Sequence, residues 1–106
     1  MIDFELPIFG FLILSALLFG IGMGVVLVKK NPIMILIGIE IMMVAGNINL
    51  VAFGRNDPER MGLIFSIFTI ILGVCELAVG MAIIIQSYNF FKEKEFSDFD
   101  NHEGGN

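Results

Sequence analysis

A chain of 106 residues that is 57% hydrophobic, with a mean hydropathy of +0.89, carries more apolar surface than so short a chain can bury in water. Its net charge of −5 excludes the basic footprint of a nucleic-acid-binding protein. A single cysteine, Cys75, excludes an internal disulfide or a thiolate metal cluster and reads as a small packing residue.

The charged residues gather at Lys29 and Lys30, at Arg55 to Arg60, and after Lys92, leaving three long apolar segments for lipid to solvate. The opening Met-Ile-Asp-Phe-Glu lacks the basic n-region of a signal peptide, and no small-residue cleavage site follows, so the first apolar segment is expected to remain. That segment runs from about Pro7 to Val28, the second from about Pro32 to Phe53 and the third from about Met61 to Tyr88, each reaching the roughly 20 residues that a helix needs to cross hydrocarbon. Strands are excluded as spans, because their open edges cannot sit in lipid and three strands close no barrel. The expected fold class is therefore all-α: an integral membrane protein with three transmembrane helices over residues 1–91, followed by an acidic extramembrane tail over 92–106.

In the first span, Gly20 and Gly24, with Gly22 between them, form a small-xxx-small pair that admits a neighbouring helix. Pro7 and Pro32 fall at first turns, where proline forfeits no intrahelical bond. In the third span, Gly62, Ser66, Thr69, Gly73, Glu76 and Gly80 recur at steps of four and three, which puts a narrow polar and small-residue stripe on one face as a packing seam. Three spans leave the first loop and the tail on one side, with Lys29, Lys30, Lys92 and Lys94 against Arg55 and Arg60 on the other. The positive-inside rule then puts the C-terminus in the cytoplasm and the N-terminus outside.

Glu40 and Glu76 carry the chemistry. A carboxylate at the bilayer centre costs roughly 2.5 to 3.5 kcal/mol on insertion scales, so two of them in so small a chain mark a function. Glu40 lies eight residues past Pro32, about 12 Å in from the first-loop side, and Glu76 lies twelve residues before Tyr88, about 18 Å from the same side, so in antiparallel spans both carboxylates are expected at similar depth near the membrane centre. Asn47, seven residues from Glu40, shares its face, whereas Asn49 points elsewhere. A low-dielectric site disfavours the charged form of a carboxyl group, which suits such groups to binding and releasing protons. Lys29 and Lys30 read as interfacial anchors that could also steer protons at the cytoplasmic mouth. Neither glutamate has a cation within its own span, so a counter-charge must come from another chain. The competing reading is a pair of carboxyl groups that only lock neighbouring helices together.

The segment Lys29-Lys30-Asn31, Leu36-Ile37-Gly38-Ile39-Glu40-Ile41-Met42 and Asn47-Ile48-Asn49-Leu50 resembles the second helix of the NuoK/NdhE family, the small K subunit of complex I-type NADH (or related donor):quinone oxidoreductases. Ile64-Phe65-Ser66-Ile67-Phe68 with Cys75-Glu76-Leu77-Ala78-Val79-Gly80-Met81-Ala82 resembles the third helix of that family, and the likeness covers about residues 5 to 91. The resemblance implies a chain of ionisable groups linking the quinone site to antiporter-like proton channels, with Glu40 and Glu76 as relay carboxylates. It implies J-, A- and antiporter-like N-type subunits as partners, and a quinone, iron-sulfur clusters and flavin held by other subunits, with no cofactor on this chain. It also implies a bacterial or archaeal plasma membrane or a thylakoid. Lys29 and Lys30 stand where the family often has arginines, Cys75 where alanine is common, and Gly73 and Gly46 where other small residues occur. A C-type subunit of a cation/proton antiporter or membrane-bound hydrogenase is the alternative within the superfamily, but such relatives generally lack a glutamate at the position of Glu40.

Overall fold

The computed structural model describes residues 7–104, with side chains over 7–97. Three helices follow one another: α1 (Ile8–Val28), α2 (Pro32–Gly54) and α3 (Met61–Gly104). All three are long and apolar enough to cross a membrane. Only 11% of the most apolar window in α1 and in α2, and 6% of that in α3, is buried within the chain, so most side chains are left for lipid or for other proteins.

The helix starts follow local chemistry. Asn31 caps α2, its Oδ1 accepting the Ile33 N–H at 3.0 Å, and Pro32 occupies the first helical position. Pro7 sits one residue earlier in its helix than expected, at the cap of α1. Asp57 organises the second loop: Oδ1 accepts the Glu59 N–H at 3.1 Å and Oδ2 the Met61 N–H at 3.2 Å, satisfying a donor at the start of α3 that has no partner within the helix. Between them Arg60 takes the left-handed backbone conformation (φ 52°) that turns the chain into α3.

The first two spans end within a residue of their expected limits. The third helix does not stop at Tyr88 but continues through Lys92 and Glu95 to Gly104. Lysine and glutamate are good helix formers, and no proline or glycine interrupts the stretch before Gly104, so polarity marks an exit from hydrocarbon without ending the helix.

α2 is the central helix. α1 and α3 each pack on it and, among the described residues, not on each other. The α1 side of α2 carries Gly38, Ala45, Asn49 and Ala52; the α3 side carries Leu36, Glu40, Met43 and Gly54. The series 36, 43 and 38, 45 are offset by two positions, about 200° of helix rotation, so the two seams lie on opposite faces of α2.

Both seams depend on missing side chains. Gly22 lies on Gly38, where a Cβ on Gly22 would meet the Gly38 carbonyl oxygen at 2.7 Å and a Cβ on Gly38 would meet the Gly22 carbonyl oxygen at 2.9 Å. The glycines singled out by spacing, Gly20 and Gly24, have nothing within 4 Å and do not make this contact; Gly22 between them does. At the far end, a Cβ on Gly54 would fall 2.6 Å from the Gly62 Cα, so α2 and α3 touch backbone to backbone there. Close approach of this kind is how helices associate in lipid, where no hydrophobic force drives them together.

Candidate functional site: two level glutamates beside a glycine

The polar stripe of α3 faces α2. Gly62, Ser66, Gly73 and Gly80 lie in the seam, with Ser66 only 4% exposed. Gly54 meets Gly62, Met43 meets Gly73 and Leu36 meets Gly80. Eleven residues back along α2 match eleven forward along α3, and seven back match seven forward, so one antiparallel register holds along the seam. Carried three residues on from Met43 and Gly73, it brings Glu40 level with Glu76.

This corrects one estimated depth. Pro32, at the start of α2, lies level with Ile84 and not with Tyr88, so both carboxylates sit about 12 Å from the first-loop end of α2. The value of about 18 Å for Glu76 arose from taking Tyr88 as the edge.

Glu40 is partly buried and reaches into the seam, where its Oε2 lies 3.6 Å from the point that a Cβ on Gly73 would occupy. Glu76, one turn beyond Gly73, is exposed on the flank of the same seam, free to face another protein. Cys75 beside it is also exposed, and so does not serve as a packing residue within the chain.

Asn47 shares the α3-facing side of α2, about 10 Å from Glu40 along the axis. Its Oδ1 is buried and has no hydrogen-bond partner among the described residues. The register puts Thr69 opposite, but the Thr69 hydroxyl donates to the Phe65 carbonyl at 2.7 Å, so it does not reach across. Asn47 also lines an open cleft of about 730 Å³ between α1 and α3, with Phe11, Val44, Ser66, Arg55 and Asn56 among its walls.

Lys29 and Lys30 are exposed in the first loop and are not brought to the carboxylates. Lys29 ends α1, its N–H donating to the Val25 carbonyl at 2.9 Å, and the rise from Pro32 to Glu40 keeps the pair about 12 Å away along the axis. Asn49 does point elsewhere, to α1. Its Oδ1 lies 2.8 Å from the hydroxyl of Ser15, a buried residue that spacing arguments on the glutamates could not single out. A signal was present: Ser15 and Gly22 are seven apart, as are Gly38, Ala45 and Ala52, so matched small-residue faces could have been read from both helices. Among the described residues, no group of three His, Cys, Asp or Glu side chains is placed to hold a metal ion.

Residues 10–104 match the family described as NADH-ubiquinone/plastoquinone oxidoreductase chain 4L. The NADH-quinone oxidoreductase subunit K of Chlorobaculum tepidum is 40% identical over 90 residues, covering 85% of this chain and 84% of that protein. The subunit K of a Geobacillus species is 40% identical over 98 residues (91% and 94%), and that of Bacillus cereus 38% identical over 102 residues (94% and 98%). With nearly its whole length matched, the chain belongs to the chain 4L family of NADH-ubiquinone/plastoquinone oxidoreductases.

Proposed function

We propose that this chain is a membrane-arm subunit of a proton-pumping NADH:quinone-type oxidoreductase and relays protons between Glu40 and Glu76. The observation that carries the reading is the register of α2 on α3, which makes the two carboxyl groups level with one another across a single helix contact. The step is a proton transfer: one carboxyl group gives up its proton, a water or a neighbouring side chain carries it, and the other carboxylate receives it. No bond to carbon changes and no electron moves on this chain. Quinone, flavin and iron-sulfur chemistry belong to other subunits; a cluster would need several cysteines, and this chain has one.

The exposure of Glu76 and the scant burial of all three helices support assembly with J-, A- and antiporter-like N-type subunits, which would cover the outer flank and supply the cations that the spans lack. Asn47 supports the relay as an unpaired acceptor on the Glu40 face. Lys29 and Lys30 act from the membrane boundary by their charge.

Affinity purification through a tag on this chain tests the assignment. It is expected to recover an NADH:quinone oxidoreductase whose pumping falls when either glutamate becomes glutamine. Recovery of a cation/proton antiporter or a hydrogenase without quinone reductase activity would contradict it.

A further inference from the structure

The α2–α3 seam has glycine at three places, and they do different work. At Gly54 and Gly62 the two backbones touch. At Gly80, a Cβ would meet only the flexible end of Leu36, at 3.1 and 3.3 Å. At Gly73, a Cβ would meet the Met43 Cε at 3.3 Å and the Glu40 Oε2 at 3.6 Å. Gly73 is thus the place along this seam where a glycine has a carboxylate oxygen as its neighbour, and the next turn of α3 carries Glu76.

We infer that Gly73 is a positioning residue for proton transfer: by carrying no side chain, it seats the Glu40 carboxylate in the α2–α3 seam, one turn of α3 from the level Glu76. Gly73 is buried, so no outside group competes for the space that its missing side chain leaves. A methyl group there would touch the carboxylate at ordinary contact distance and displace only the end of Met43, a flexible side chain. A valine would put two further methyl groups beside the oxygen and turn the carboxylate out of the seam, away from the level Glu76. This inference rests on the relay proposed above and adds a residue that never itself holds a proton.

The test compares Gly73→Ala, Gly73→Val, Gly80→Val and Glu40→Gln in the intact complex in membrane vesicles. Assembled complex, quinone reduction, pumping per NADH oxidised and the carboxyl stretching band in infrared difference spectra are measured for each. Gly73→Val is expected to lower pumping about tenfold per assembled complex and to shift the carboxyl band. Gly73→Ala should retain at least about half of the pumping, with a smaller shift. Gly80→Val, which crowds the same seam two turns away, is expected to lower the amount of complex while leaving pumping per complex and the carboxyl band unchanged, a pattern that a purely structural role for Gly73 would share.

Wild-type pumping and an unshifted band in Gly73→Val overturn the inference, and if that variant fails to assemble, an unshifted band in Gly73→Ala overturns it instead. Loss of pumping in Glu40→Gln alongside normal pumping in Gly73→Val removes Gly73 from the account and leaves the relay standing. Normal pumping in Glu40→Gln removes the relay and this inference together.

Discussion

Ser15 of α1 and Asn49 of α2 face one another across the first seam, hydroxyl oxygen to carboxamide oxygen at 2.8 Å, and the same hydroxyl lies 2.9 Å from the Leu12 carbonyl. Ser15 has one proton to donate and two acceptors within reach, so it satisfies only one of them at a time. Loss of Asn49 leaves Ser15 satisfied by its own helix, whereas loss of Ser15 leaves a carboxamide unpaired between helices. Ser15→Ala is accordingly expected to destabilise the assembled complex by about 1 to 3 kcal/mol, the usual cost of an unsatisfied buried polar group. Asn49→Leu should cost less, near the roughly 0.6 kcal/mol average for interhelical hydrogen bonds in membranes. Thermal unfolding of the purified complex checks the order, and pumping per NADH should be normal in both.

Gly22 and Gly20 should respond oppositely to the same change. Gly22→Val places carbon where the Gly38 carbonyl oxygen and the Met42 side chain already lie, so α1 must separate from α2. Gly20→Ala meets nothing within the chain. Gly22→Val is expected to reduce the complex in membranes severalfold, and Gly20→Ala to leave the α1–α2 contact intact. Native electrophoresis and crosslinking between cysteines introduced at Ser15 and Asn49, which face one another across the same seam, would measure both.

What could be read from the chain alone divides along physical lines. Span number and span starts depend on local chemistry, and apolar runs broken by Lys29, Asn31-Pro32 and Asp57 lead directly to the helices observed. The length of α3 was not legible, because leaving hydrocarbon changes polarity but not helix propensity. Face assignments were mixed: the stripe from Gly62 to Gly80 does form a seam, and α2 is the helix that it meets. Gly20 and Gly24 lie on the side of α1 turned away from α2, since spacing sets which residues share a face but not which face meets α2. Antiparallel spans already put Glu40 and Glu76 at similar depth near the membrane centre; bringing them level needed the register, which the contacts Gly54 with Gly62, Met43 with Gly73 and Leu36 with Gly80 supply.

That register also ranks relocations of the acid. In a Glu40→Gln background, Leu36→Glu keeps a carboxylate on the α3-facing seam with a shift of about 6 Å, one turn from the Glu76 level. Val44 is half exposed and lines the cleft, so Val44→Glu turns the acid toward the cleft and away from Gly73. Partial recovery of pumping is expected for Leu36→Glu and less for Val44→Glu. Proton uptake by inverted vesicles distinguishes the two.

The expected orientation rests on Lys29 and Lys30 in the first loop and on Lys92 and Lys94 towards the C-terminal end of α3. A reporter fused after Asn106 should be active on the cytoplasmic side. Access to that reporter only from the opposite face would reverse the assignment of the proton-entry side.

The relay itself is tested most directly by protons pumped per NADH oxidised in vesicles carrying Glu40→Gln, with Glu40→Asp and Glu76→Gln as companions. Glutamine preserves the shape and most of the hydrogen bonding of glutamate but cannot exchange a proton. The account predicts normal amounts of complex and strongly reduced pumping in Glu40→Gln, a milder loss in Glu76→Gln, whose exposed flank leaves room for a neighbouring subunit to substitute, and substantial retention in Glu40→Asp. Full pumping by Glu40→Gln membranes with normal complex content would contradict it and leave the two carboxyl groups as structural locks.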